Sequence, residues 1–390
     1  MDAAGQWWER TYGPRKVIRS LVQAIELDAR AVLLSAPCDL AFRHEMRACV
    51  IHNWRTDEGL RGLTVPEYDC AKDGKEGLSF EESLLEKVFP KESEQKKDTE
   101  SVIAFFKRKN LLALKVIWIK GIVNAQDRDA ALKFATKFAQ QSKEGFLIVE
   151  LAPEYIPNNF RSFPVIRVET DETDMESFSQ TCLREKNEEV SMPYFLCRYL
   201  TLLASALCGT DAELSHLFIN RFHYSSDDPI FVLDQIYKSG ELPSSREKEK
   251  GSGQAQHVFY LLKNNKTEDV RRLVWKAQIQ ALFPVLEDIR SVLIERYFSF
   301  WESALKEVIV KESLPDERGV HKRIYDPWAL ELGQMKFCLN KVANSSAVSA
   351  KDNASIQMLP PFRHKLAHLE TMTPDDVTSL EKIAVQYYSE

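Results

Sequence analysis

A chain of 390 residues with 44% hydrophobic and 28% charged side chains has apolar material for two or three cores, which excludes a disordered or low-complexity protein. Its formal net charge of -6, from 52 basic and 58 acidic residues, excludes a global pull on nucleic acid, so any RNA contact has to be local. Cys38, Cys49, Cys70, Cys182, Cys197, Cys208 and Cys338 are odd in number and never spaced C-x-x-C, which argues against a disulfide framework and a zinc site and for a reducing cytoplasm.

The opening "MDAAGQWWERTYGPRK" lacks the apolar core of a signal peptide, and no apolar run reaches the ~18 residues a membrane span needs. The longest, "LLALKVIWIKGIV", carries two lysines, and no membrane association is expected. The first helix is predicted over "RKVIRSLVQAIEL", where Val17, Leu21, Ile25 and Leu27 fall near one face. "RAVLLSAP" reads as a buried strand, "AFRHEMRACVIHNW" as a helix, "LRGLTVPEYD" as a second strand and "FEESLLEKVF" as a helix. A polar loop, "ESEQKKDTE", precedes the helix "SVIAFFKRKN". "ALKVIWIKGI" and "GFLIVELA" are strands around the helical "DRDAALKFATKFAQQSK", and "PVIRVE" is one more. Strands alternating with helices imply crossovers, hence a mainly parallel sheet covered on both faces over about residues 1–171.

From 172 to 240 the pattern turns helical, in "DMESFSQTCL", "MPYFLCRYLTLLASAL", "DAELSHLFINRF" and "DPIFVLDQIYK". The stretch 241–256 mixes Gly, Ser and Pro with alternating charge and is taken as a linker and domain boundary. An all-α domain is expected over 257–390. It opens on an apolar-periodic run from Thr267 to Val310, one long helix or two with Pro284 as kink or break. Helices follow at "DPWALELGQMKFCLNKVA", at "PPFRHKLAHLE", with Pro360 and Pro361 as the helix start, and at "TPDDVTSLEKIAVQYY".

A strand, loop and helix is where a nucleotide-hydrolysing fold places Gly-x-x-x-x-Gly-Lys-Ser/Thr. By spacing, Ala36 and Ala41 stand at the glycines, Phe42 at the lysine and Arg43 at the magnesium-binding hydroxyl. Lys120 and Gly121 follow the later strand, where acidic residues would hold magnesium. ATP hydrolysis is therefore not expected, and no cofactor is. The order of elements over residues ~1 to 240 resembles the inactive STAND group of P-loop NTPases. That resemblance implies a sensing or scaffolding module, able to receive a protein partner or trigger, coupled to an effector.

Arg363 is followed five positions later by His368, but Arg47 and His52 share that spacing, so spacing alone says little. The neighbourhood says more. "FRHKLAHL" places polar His364 directly after the arginine, then small and apolar residues, then histidine and leucine, and it resembles the R-(polar)-x-x-x-H signature of HEPN domains. These are all-α bundles, often homodimeric, and many are metal-independent endoribonucleases. The resemblance covers about residues 265 to 390. It implies an RNA substrate, Arg363, His368 and His364 as the catalytic set, no metal, and a setting in antiphage defence or toxin action. Imidazoles exchange protons near neutral pH and a guanidinium offers fixed charge to phosphate oxygens, which suits RNA cleavage by its own 2′-hydroxyl. Five positions along a helix turn two side chains ~140° apart, so convergence is better across a two-fold axis. Read without the resemblance, Arg363 and His364 are solvated first-turn residues and His368 an ordinary helix histidine. Both halves would then be pseudo-enzymes in a larger complex.

His216 and His223, seven apart, are expected on one helical face without a third metal ligand, and so in ordinary roles. Trp7, Trp8, Trp275, Trp301 and Trp328 are read as packing residues. Glu331 and Lys336 precede the motif with no reason in the sequence to place them at the site.

Overall fold

Five short strands share one sheet, and the three central ones, apolar nearly throughout, need cover on both faces. In the computed structural model they are β1 (Ala31–Ser35), β2 (Glu67–Asp69), β3 (Val116–Lys120), β4 (Phe146–Leu151) and β5 (Val165–Arg167), all parallel, in the order β2-β3-β4-β1-β5. The structure describes residues 2–37, 39–56, 62–186, 192–249, 255–311, 314–315, 321–322, 324–342 and 345–388. Cys38 and residues 250–254 of the expected linker lie outside them. β1 is buried along its whole length, with Leu33 in register with Val149 on one side and Val165 on the other.

α1 (Tyr12–Glu26) precedes β1, and the crossovers that follow are helical: α2 (Arg43–Thr56), α3 (Phe80–Val88), α4 (Val102–Lys109) and α5 (Ala125–Gln141). α1 buries Val17, Ile18, Leu21 and Ile25, but Leu27 has left the helix and is 73% exposed, a departure from the predicted face. Among its described residues, only the end of "LRGLTVPEYD" forms a strand. Pro66 has no N–H for the ladder, and upstream of it only Thr64 bridges, to Lys115.

The chain divides into two compact units, Met1–Phe178 with Thr210–Glu213, and Ser179–Gly209 with Leu214–Glu390. The stretch expected as a helical extension, α6 (Glu172–Lys186), α7 (Tyr194–Cys208), α8 (Ala212–Arg221) and α9 (Pro229–Ser239), thus falls mostly within the second unit. The division lies near residue 178 rather than at 241–256. The cause is packing, since α7 lies along the 30-residue α10 (Thr267–Arg296). Buried Gln278 of α10 donates to the Tyr199 hydroxyl of α7 and clamps both backbone groups of Met372. Pro284 sits inside α10, and the break comes later, at Tyr297, before α11 (Phe298–Lys311).

The last three helices are α12 (Leu332–Lys341), α13 (Ala350–Ala367) and α14 (Pro374–Tyr388). α13 corrects the sequence reading: Pro360 and Pro361 lie inside it, and the Arg-His motif is at its C-terminal end rather than its start. The start signal is Ser349, whose hydroxyl accepts from the Asp352 amide three residues on. Pro361 cannot donate to the carbonyl of Gln357, and the Lys336 ammonium takes that acceptor at 3.2 Å. The residue with no evident role in the sequence therefore repairs the helix that carries the motif.

Candidate functional site

α13 ends in a left-handed turn. The His368 amide donates to the carbonyls of His364 and Lys365, Leu369 has φ +62°, and the Glu370 amide returns to the Lys365 carbonyl at 2.9 Å. Trp275 Nε1 donates to the freed Leu366 carbonyl at 2.8 Å, and Lys365 pairs with Asp376 at 2.5 Å, fixing the end against α10 and α14. His364 and His368, one turn apart, stand exposed with ring centroids 4.2 Å apart. Helical spacing four residues apart puts the two imidazoles side by side.

Arg363 points elsewhere. Its side chain is 16% exposed, lies over the Phe283 ring of α10, and reaches Glu287 Oε1 at 3.8 Å and Glu331 Oε1 at 3.5 Å. Burial lowers the guanidinium's pKa from its ordinary value; Glu287 opposes that shift and Arg290 adds to it. Glu287 also accepts from Arg290 Nε at 2.7 Å, and Arg290 Nη1 donates to the carbonyls of Trp328 and Leu330, each at 3.1 Å. Phe283, Glu287 and Arg290 recur at helical spacing on α10, so one stripe of that helix meets the motif. Sequence reasoning left out Glu287 and excluded Glu331. The i, i+4, i+7 stripe was visible, but the pairing across more than seventy residues was not. The expected packing role of Trp328 is also corrected: at 47% exposure it stands out of the core, in the turn Pro327–Ala329.

At the carboxyl edge of the sheet the aligned phosphate-loop positions are protein-filled. Ala36 and Ala41 are buried, and Phe42, at φ +51°, donates its amide to Glu213 at 2.5 Å and accepts from Trp8 Nε1 at 2.8 Å. Arg43 Nε reaches Glu150 Oε1 at 2.5 Å; the other carboxylate oxygen takes Trp118 Nε1 at 2.8 Å and Arg47 Nη1 at 3.4 Å. Arg47 also lies 3.5 Å from Glu67, which pairs with Lys120 at the end of β3. Gly121, at φ +71°, has Asp69 Oδ1 2.0 Å from where a Cβ would stand, so glycine is needed there. The second Arg-x-x-x-x-His match resolves accordingly, with Arg47 tied to Glu150 and His52 exposed on α2.

His223 lies beyond the end of α8, so the expected common helical face with His216 does not form. His216 Nδ1 is 3.8 Å from Cys182 Sγ, and Asn220 Nδ2 is 3.1 Å from His216 Nε2, a Cys-His-Asn arrangement by residue type. Burial pushes the Cys182 thiol up to about 12 and lowers His216, which removes the thiolate such chemistry requires. Among the described residues no group of three or more His, Cys, Asp or Glu is placed to hold a metal, and the six described cysteines form no disulfide. No described helix is long and apolar enough to cross a membrane.

No family model matches the chain, and no curated protein does. Among solved structures it is similar to Drosophila ORC bound to GC-rich DNA and Cdc6, at 10% identity over 98% of this chain and 72% of that one, with a TM-score of 0.30. It is also similar to Drosophila ORC bound to poly(dA/dT) DNA and Cdc6 in conformation 1, at 10% identity over 98% and 70%, with a TM-score of 0.31. At such scores the architecture rests on the chain's own elements: a parallel five-stranded α/β unit and a helical unit.

Proposed function

We propose that the chain pairs a STAND-like α/β module without nucleotide chemistry with a HEPN-like helical module that cleaves RNA without a metal. The observation that carries the second half is the end of α13, where two exposed imidazoles stand 4.2 Å apart beside a partly buried arginine. The strand order supports the first half. It places the loop after β1 and the end of β3 on either side of β4, where a nucleotide's phosphates and magnesium would meet, and here Glu150, Arg43 and Arg47 fill that place.

In the proposed reaction the RNA 2′-oxygen forms a bond to the adjacent phosphorus while the bond from phosphorus to the 5′-oxygen breaks. His368 or His364 takes the 2′-hydroxyl proton, and a protonated imidazole gives one to the leaving 5′-oxygen. Arg363, from the same or a second copy, supports the charge on the phosphate oxygens. A homodimer would bring two copies of each residue to one cleft. The setting is antiphage defence or toxin action, in the cytoplasm, with a protein or other trigger acting at the α/β module.

A second reading is favoured by the pairing of Arg363 with Glu287 and Glu331, which suits a purely structural arginine in a non-catalytic interaction protein. Incubation with RNA in EDTA separates the two. Cleavage that survives chelation and falls at least ~100-fold, on the scale of losing a general acid or base, in His368→Ala and Arg363→Ala supports the nuclease. Equal background in all three forms leaves the interaction protein.

A further inference from the structure

Six of the seven tryptophans are used inside the fold. Trp7, Trp8, Trp54, Trp118 and Trp301 are at most 1% exposed, and Trp275 is half-buried with its indole N–H on Leu366. Trp328 alone is presented to solvent, and it is presented on a fixed support. Its amide donates to Asp326 Oδ1 at 3.0 Å, and Arg290 holds its carbonyl and that of Leu330. The support leads to the motif by two routes. Arg290 and Arg363 share Glu287, and Glu331, three residues after Trp328 and so within about 11 Å of chain, lies 3.5 Å from Arg363.

We propose that Trp328 is a stacking platform for an unpaired nucleobase of the RNA strand whose phosphate Arg363 receives, which rests on the nuclease reading and narrows its substrate to single-stranded RNA. An exposed indole offers its π-face to any base, whereas bases in a duplex already stack on each other. Because Asp326 and Arg290 fix the turn before any ligand arrives, little ordering cost remains on binding.

The test uses the full chain carrying His368→Ala, so that RNA is not consumed, and a single-stranded 12-nucleotide oligouridylate. Titration with the oligonucleotide is expected to quench tryptophan fluorescence saturably. Anisotropy of the same oligonucleotide carrying a fluorophore is expected to show roughly ten-fold weaker binding for Trp328→Ala, substantial recovery for Trp328→Phe, and weak competition by a duplex of equal length. Equal affinity of the Trp328→Ala form, or duplex binding as tight as single-strand binding, overturns the proposal. So does quenching that follows protein concentration without RNA, which would mean that a second copy covers Trp328. Cleavage in EDTA by the unsubstituted chain is scored separately. Cleavage without the Trp328 effect removes the platform and keeps the nuclease, and the Trp328 effect without cleavage removes the nuclease and keeps an RNA-binding face.

Discussion

Asp352 is a buried carboxylate of the helical unit with several donors. It takes the hydroxyls of Tyr297 at 2.6 Å, Tyr387 at 2.7 Å and Ser349 at 2.9 Å, and the Arg296 guanidinium at 3.2 Å, with 2% of its side chain exposed. Burial pushes its pKa up, but the donors together outweigh burial and hold it below the usual carboxylate range. A depressed folded value contributes stability that is present above the unfolded pKa of ~3.9 and is lost as pH falls through the folded value. Urea unfolding at neutral pH and below pH 4 should therefore show an acid loss that is smaller in Asp352→Asn, and that substitution should cost about 1–3 kcal/mol at neutral pH. Nothing in the sequence set Asp352 apart from the other acidic residues, because its donors come from three separate elements. The motif residues were legible by contrast: His364 and His368 sit one turn apart, and α-helical spacing alone brings their rings together. Where Arg363 points was not legible, since Glu287 and Glu331 reach it only through tertiary packing.

At the scale of elements, the alternation of strands and helices carried the α/β unit, because a strand buried on both faces has to be apolar throughout and each crossover helix amphipathic. The same logic failed at α13. Two consecutive prolines read as a helix start, but a half-buried lysine from a neighbouring helix compensates the amide that Pro361 lacks, and such compensation leaves no local signal. The end of α13 carries its own cost. Leu369 is 67% exposed in a left-handed conformation that a β-carbon disfavours. Leu369→Gly should raise stability by about 0.5–1 kcal/mol after the glycine's larger unfolded-state entropy is counted, read as a higher urea midpoint with unchanged slope. A fall in RNA cleavage in that more stable form would mark the strained turn as part of how His368 is presented.

At the scale of the molecule, the change from alternating to helical pattern at 172 was legible and lies close to the division near residue 178, but the grouping of most of 172–240 with the later helices was not, because composition marks polar stretches, whereas units are defined by which helices bury one another. The filled carboxyl edge of the sheet gives the whole chain a simple expectation. Millimolar ATP with magnesium should leave its melting temperature unchanged within error, because a ligand that does not bind the folded state cannot shift it. A rise of several degrees would show that Glu150, Arg43 and Arg47 can give way to phosphates.

The hydrogen bond from the Phe42 amide to Glu213 also bears on the order of synthesis. Thr210–Glu213 belong to the α/β unit yet emerge from the ribosome after all of Ser179–Gly209. The sheet and its crossovers are complete in the nascent chain long before the turn at Phe42 finds its acceptor, so the first unit to be made is not the first to be finished. A polypeptide arrested before residue 210 would carry the sheet with the Trp8 bond to the Phe42 carbonyl in place and the Phe42 amide still without its Glu213 acceptor.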